Sequence, residues 1–136
     1  MANPKDIISK GISMSEESVV RELVSRVFST RGALHLKHLA SKSYAEHVAL
    51  GDLYEEIVGK VDDIVECYQG KYGIMNGLTV AAAAVPADVV AHIKEEQAFV
   101  ARGRGAFTGD CEAIGAIMDE LDAMYLKTIY KLENLK

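Results

Sequence analysis

Apolar residues in this chain recur in steps of three and four and almost nowhere in alternation, a period that builds helices and leaves no material for a sheet. Val20, Leu23, Val24, Val27, Phe28 and Leu34 form the first stripe. Ser13 and Glu16 precede it at the spacing of a capping box, which predicts a helix over about Ser15 to Ser41. Tyr44, Val48, Tyr54, Ile57, Val58, Val61, Val65 and Tyr68 predict a second helix from Tyr44 to Gln69, stopped by Gly70 and Gly73. Pro86 and Asp88 suit a first helical turn and its positive dipole end, so a third helix is expected from Pro86 to Arg102, before Gly103, Gly105 and Gly109. Asp110 opens the last run, with Ile114, Ile117, Met118, Leu121, Met124, Tyr125, Ile129 and Leu132 on one face. Between the second and third helices the chain is glycine-punctuated, then small and apolar, which predicts a connection with at most a short helix about Leu78 to Ala84. The expected architecture is all-α: an antiparallel four-helix bundle with a crossover between helices two and three. It forms one domain over residues 13–136 behind a short flexible arm at 1–12.

The composition narrows the function. With 49% apolar residues, 136 residues can close one core, although a unit of this size gains much from association. A net charge of -5 opposes a general polyanion binder, so DNA binding is not expected. Cys67 and Cys111 form neither a metal-finger spacing nor a disulfide framework; Cys67 reads as a small apolar residue. No apolar run approaches the length needed to span a bilayer, and Met1 to Gly11 has no apolar leader core, so a soluble cytoplasmic protein is expected, with no membrane partner.

Candidate chemistry rests on His35, His47, Asp62 and Glu66. Steps of three and four run through His47, Gly51, Glu55, Val58, Asp62 and Glu66, which places both ends of the second helix on one stripe. At 1.5 Å per residue, His47 and Asp62 are nevertheless roughly 22 Å apart. One chain cannot gather them around one ion. A twofold axis that packs the helix antiparallel to its copy brings the histidine end of each against the carboxylate end of the other, giving two equivalent sites per dimer. Imidazole and carboxylate together suit Fe(II), Mn(II) or Zn(II). His38, one turn from His35, is an additional candidate, while His92 reads as surface. Taken singly, His35 also reads as a hydrogen-bonded helix histidine, and Asp62 with Glu66 as a solvated face.

The segment HLKHLASKSYAEHVALGDLYEEIVGKVDDIVE, His35 to Glu66, resembles the ferroxidase region of the Dps-type miniferritins of the ferritin-like superfamily. There a His near the end of the first helix is followed by a His early in the second, then an Asp and a Glu one turn apart. The stretch GDCEAIGAIMDELDAMYLKTIYKLENL is similar to that family's final helix. The resemblance implies a ferritin-like bundle, an intersubunit diiron site with His35 and His47 from one copy and Asp62 and Glu66 from its mate, and a dodecameric shell. It implies Fe(II) oxidation, preferentially by hydrogen peroxide, and storage of Fe(III), with zinc or manganese as alternative occupants. By position, Glu112, Asp119 and Glu120 fall near that family's acidic pore residues, an ordinary solvated acidic face being the alternative. Three features depart from the pattern. Gly51 stands where an Asp is usual, with Asp52 beside it but turned about 100° away; Leu36 replaces an aromatic residue and Trp is absent; and the span from Glu66 to Asp110 is short. These leave two alternatives open: a ferritin-like structural or binding protein without the oxidation chemistry, and a DNA-associating protective protein.

Overall fold

The computed structural model describes residues 14–136, with side chains from Glu17 onward; the arm, and with it Ser13 and the side chain of Glu16 of the expected capping box, lie outside what is described. Four helices and no strand make up the described residues: α1 (Met14–Ala40), α2 (Tyr44–Tyr72), α3 (Val89–Thr108) and α4 (Glu112–Asn134). The turn between α1 and α2 is short because Ser43 caps α2 at once, its hydroxyl oxygen accepting from the Glu46 N–H at 3.2 Å.

Each helix contributes one stripe to a single core. Val20, Leu23, Val24, Val27 and Leu34 come from α1; Leu50, Leu53, Ile57, Val61, Ile64 and Tyr68 from α2; Ile93, Val100 and Phe107 from α3; Ile114, Met118, Leu121 and Tyr125 from α4. Tyr44 and Val48, expected in the second stripe, are 82% and 38% exposed. They lie on the side of α2 toward the end of α4, where they line an open surface groove with Leu135 and Lys136 and are outside the core.

Three helix ends differ from expectation. α2 runs through Gly70 to Tyr72 and stops at Gly73, whose φ of 100° lies in the left-handed region that glycine tolerates. α3 starts at Val89, later than Pro86, because Asp88 caps it by accepting from the Ala91 N–H. It then continues through Gly103 and Gly105 to Thr108, ending at Gly109. The Phe107 ring folds back onto Gly103, where a Cβ would lie 2.6 Å from it. That glycine therefore seats a core aromatic inside the helix and does not end it.

Neighbouring helices run antiparallel. His35 and His38 of α1 meet Tyr54 and His47 of α2; Arg26 and Thr30 of α1 meet Glu96 and His92 of α3. Lys60 and Asp52 of α2 pair with Glu120 and Lys131 of α4, and Lys94 and Arg104 of α3 with Glu133 and Asp119.

The connection from Gly73 to Asp88 holds no helix. Its start is tied down by buried Met75, whose N–H donates to Gln69 Oε1. It then lies along the outer side of α1: Gly77 beside Arg21, the Ala81 N–H donating to Ser25 Oγ, the Ala82 carbonyl accepting from Ser29 Oγ, and Ala83 against Gly32. Six steps of the strap thus match eleven steps of helix, roughly 16 Å, a rise that only extended chain achieves. At Gly32 a Cβ would come within 3.3 Å of Ala83, so the absence of a side chain is what lets the strap lie close.

Candidate functional site

Three of the four histidines gather at the α1–α2 corner. His38 and His47 stack at 3.6 Å between ring centroids and 19° between planes, and His35 stacks on Tyr54 at 4.3 Å. The Tyr54 ring also meets His38 edge-on and carries the Arg31 guanidinium over its face. His38 Nδ1 lies 2.6 Å from the His47 carbonyl oxygen, and His47 Nδ1 lies 2.9 Å from the His38 carbonyl oxygen. A carbonyl can only accept, so both Nδ1 atoms are donors and each neutral ring keeps its lone pair on Nε2. The reciprocal bonds latch the end of α1 to the start of α2. They also fix His47 in the tautomer that metal-binding histidines adopt when a carbonyl holds the other ring nitrogen.

Gly51 explains why the latch closes. A Cβ there would stand 3.2 Å from His38 Cε1 and 3.4 Å from Nδ1. The imidazole of His38 therefore occupies the space beside His47 that a side chain at position 51 would otherwise use. Parallel rings send their Nε2 lone pairs along separate parallel planes, so His38 and His47 cannot both grip one ion in this arrangement. Among the described residues no three His, Cys, Asp or Glu side chains are close enough together to hold a metal.

The other candidates lie elsewhere. Asp62 and Glu66 are exposed on α2, and that helix is unbroken from Tyr44 to Tyr72, so its straight 1.5 Å rise keeps Asp62 roughly 22 Å from His47. Asp52 faces α4, 3.9 Å from Lys131, away from the histidines. Of the acids on α4, Asp119 accepts from Arg104 at 2.6 and 3.1 Å and Glu120 from Lys60 at 2.7 Å. Both therefore belong to ion pairs between helices, and only Glu112 stays a simple exposed acid.

A second polar group, on which the sequence gives no signal, lies between α1, α3 and α4. Glu96 is buried, with Arg26 Nη1 at 3.6 Å, and the Arg26 guanidinium rests 4.1 Å above the Phe99 ring. Burial raises the Glu96 pKa, an effect Arg26 opposes, and burial raises that of Tyr125, with the Glu96 charge adding to it. His92, expected at the surface, is half-buried, with Nε2 3.3 Å from Thr30 Oγ1. Desolvation lowers its pKa. At the end of the bundle away from the histidine corner, the Tyr72 hydroxyl donates to Asp110; burial and that bond push its pKa up to about 12.

Fold and corner together define an all-helical four-helix-bundle protein with a histidine-latched turn. Residues 38–132 match a family of unknown function, DUF5856, and the chain belongs to that family. No curated protein and no solved structure matches it. Among the described residues, no helix is long and apolar enough to cross a membrane.

Proposed function

We propose that this chain is a ferritin-like, Dps-type protein that acts as a twofold pair and takes Fe(II) as its substrate. His35 and His47 of one copy face Asp62 and Glu66 of the other. Two Fe(II) ions give one electron each to hydrogen peroxide, which takes up two protons and leaves as two waters. The protein supplies position: imidazole nitrogens at one end of each α2, carboxylates at the other, and a helix straight enough to register them.

The observation that carries this reading is the unbroken α2, with the latched His47 at its start and two exposed carboxylates a fixed distance along it. An antiparallel pair of such helices, with its twofold axis level with residues 55–56, superposes the two ends. His47 suits the role because its Nδ1–H is already committed to a carbonyl and its Nε2 is free to donate. The ferritin-like reading of the fold is supported by the helix directions. Because α1 is antiparallel to both α2 and α3, those two run the same way, as a crossover requires, and the strap has the length to make it.

The test is stopped-flow absorbance of Fe(II) mixed anaerobically with metal-free protein, followed by peroxide. Oxidation that is faster than in buffer and lost in His47→Ala supports the proposal. Oxidation at the buffer rate refutes it. A second reading, a ferritin-like scaffold without the chemistry, is favoured by one observation: Gly51 offers no carboxylate, and the His38 ring fills its place. It predicts normal association with no Fe(II) turnover.

A further inference from the structure

From Tyr72 to Ala87 the chain carries no charged residue, and most of this stretch is in solvent. Leu78, Val80 and Val85 are 43%, 62% and 49% exposed, and Ala81 to Ala84 between them are exposed as well. Among the described residues, only the Ala81 N–H and the Ala82 carbonyl tie the backbone of residues 76–85 to the rest of the chain. An extended, uncharged, apolar strap with free backbone groups is a surface that proteins cover.

We propose that a second copy of this chain covers it, the strap of each copy lying antiparallel against the strap of the other about a twofold axis between Ala82 and Ala83. The sequence says so by its symmetry. Val80-Ala-Ala-Ala-Ala-Val85 reads the same in both directions, so antiparallel apposition places Val80 against Val85 of the partner subunit, with four alanines between that let the backbones approach. Such self-complementarity is what an isologous interface needs. Pro86, with no N–H to donate, closes the segment at one end.

The position of the axis supports the same occupant. Ala82 bonds to Ser29 and Ala83 touches Gly32, so the strap axis is level with residues 29–32 of α1. The axis required by the His–carboxylate pairing is level with residues 55–56 of α2. The contacts of His38 with His47 and of His35 with Tyr54 place that level near residues 30–34 of α1. Two levels along the bundle, one taken from a palindrome and one from the proposed metal-ligand spacing, thus agree to within about one helical turn, ~5 Å, and to that extent this support rests on the proposed pairing. The strap contact itself needs neither iron nor the histidines.

The experiment uses full-length, metal-free protein in sedimentation velocity. Two variants are made, Val80→Lys with Val85→Lys and Val80→Glu with Val85→Glu; both positions are exposed, and circular dichroism checks that helix content is kept. Wild type should be at least a dimer. Each charged variant should dissociate at least tenfold more readily, and an equimolar mixture of the two should recover association, because Lys then faces Glu across the axis. A monomeric wild type at ~100 μM overturns the proposal and leaves the strap to a different partner. Association unchanged in the charged variants overturns it in favour of another self-contact, and a mixture that stays dissociated overturns the antiparallel register. Fe(II) oxidation in the same samples is read separately, so loss of the strap contact and loss of the iron reading are distinguishable.

Discussion

Replacing Gly51 by Ala tests the histidine corner directly, because two terms of similar size oppose each other there. Alanine inside a helix is favoured over glycine by about 1 kcal/mol. Against that, the new Cβ would stand 3.2 Å from His38 Cε1. The ring must retreat by a few tenths of an ångström, and its 2.6 Å bond to the His47 carbonyl oxygen gives way first. Losing a hydrogen bond of this kind costs about 1 kcal/mol. Gly51→Ala alone should therefore change stability by less than about 0.5 kcal/mol. In a His38→Ala background the obstacle is gone, and the same substitution should stabilise by about 1 kcal/mol. The coupling between positions 38 and 51 is then about 1 kcal/mol, within reach of a double-mutant cycle. Urea unfolding of the four proteins, at one protein concentration so that association does not shift the midpoints, measures it. A Gly51→Ala protein stabilised by the full helix-propensity gain while His38 is present would refute the reasoning, since the imidazole would then not depend on that space. Gly51→Asp carries the same contact and adds a carboxylate beside His47. If the iron reading holds, this variant should bind Fe(II) more tightly than wild type in calorimetric titration.

Three further outcomes follow. His47→Ala and Asp62→Ala should each abolish both sites of a pure mutant dimer, whereas mixing the two proteins should restore one intact site per mixed dimer; Fe(II) stoichiometry reads this, and equal loss in mixed and pure samples would rule out an intersubunit site. Arg26→Met should destabilise by about 2 kcal/mol in urea unfolding, since it strands the Glu96 carboxylate in the bundle, and adding Glu96→Gln should recover most of the loss. His92 and Glu96 should tilt the pH dependence of stability in opposite directions. The lowered pKa of His92 means that the unfolded chain takes up its proton first, so its contribution is lost as pH falls from the ordinary imidazole value through the lower folded one. The raised pKa of Glu96 means that the folded chain holds a proton longer, so stability is lost as pH rises from the ordinary carboxyl value through the higher folded one. His92→Gln should flatten the slope on the acid side of the ordinary imidazole value by at most about 1.4 kcal/mol per pH unit, one proton's worth; an unchanged slope would contradict the desolvation argument.

Much of the helical frame is legible in the sequence, because the 3.6-residue period depends only on local geometry. Val20 to Leu34 on α1 and Ile114 to Ile129 on α4 bury the faces that their spacing predicts. Periodicity fixes a stripe but not what lies opposite it. Tyr44 and Val48 continue the apolar pattern of α2 yet line an open groove beside the end of α4 and are not packed in the core. The glycines of α3 invite a break, and only the return of Phe107 onto Gly103 shows that the helix continues. The histidine corner divides in the same way. The presence of His35, His38 and His47 near the α1–α2 turn, and the distance from His47 to Asp62 along one helix, follow from the sequence because a helix has a fixed rise. The stacking of His38 on His47, the exchange of carbonyl bonds between them and the space left by Gly51 depend on how closely two antiparallel helices approach. The Arg26–Glu96 pair depends on which residues of α1 and α3 come level inside the bundle. Local hydrogen bonding sets the helices; the rotation and level of one helix against the next, fixed by packing of the whole core, decide which polar side chains meet.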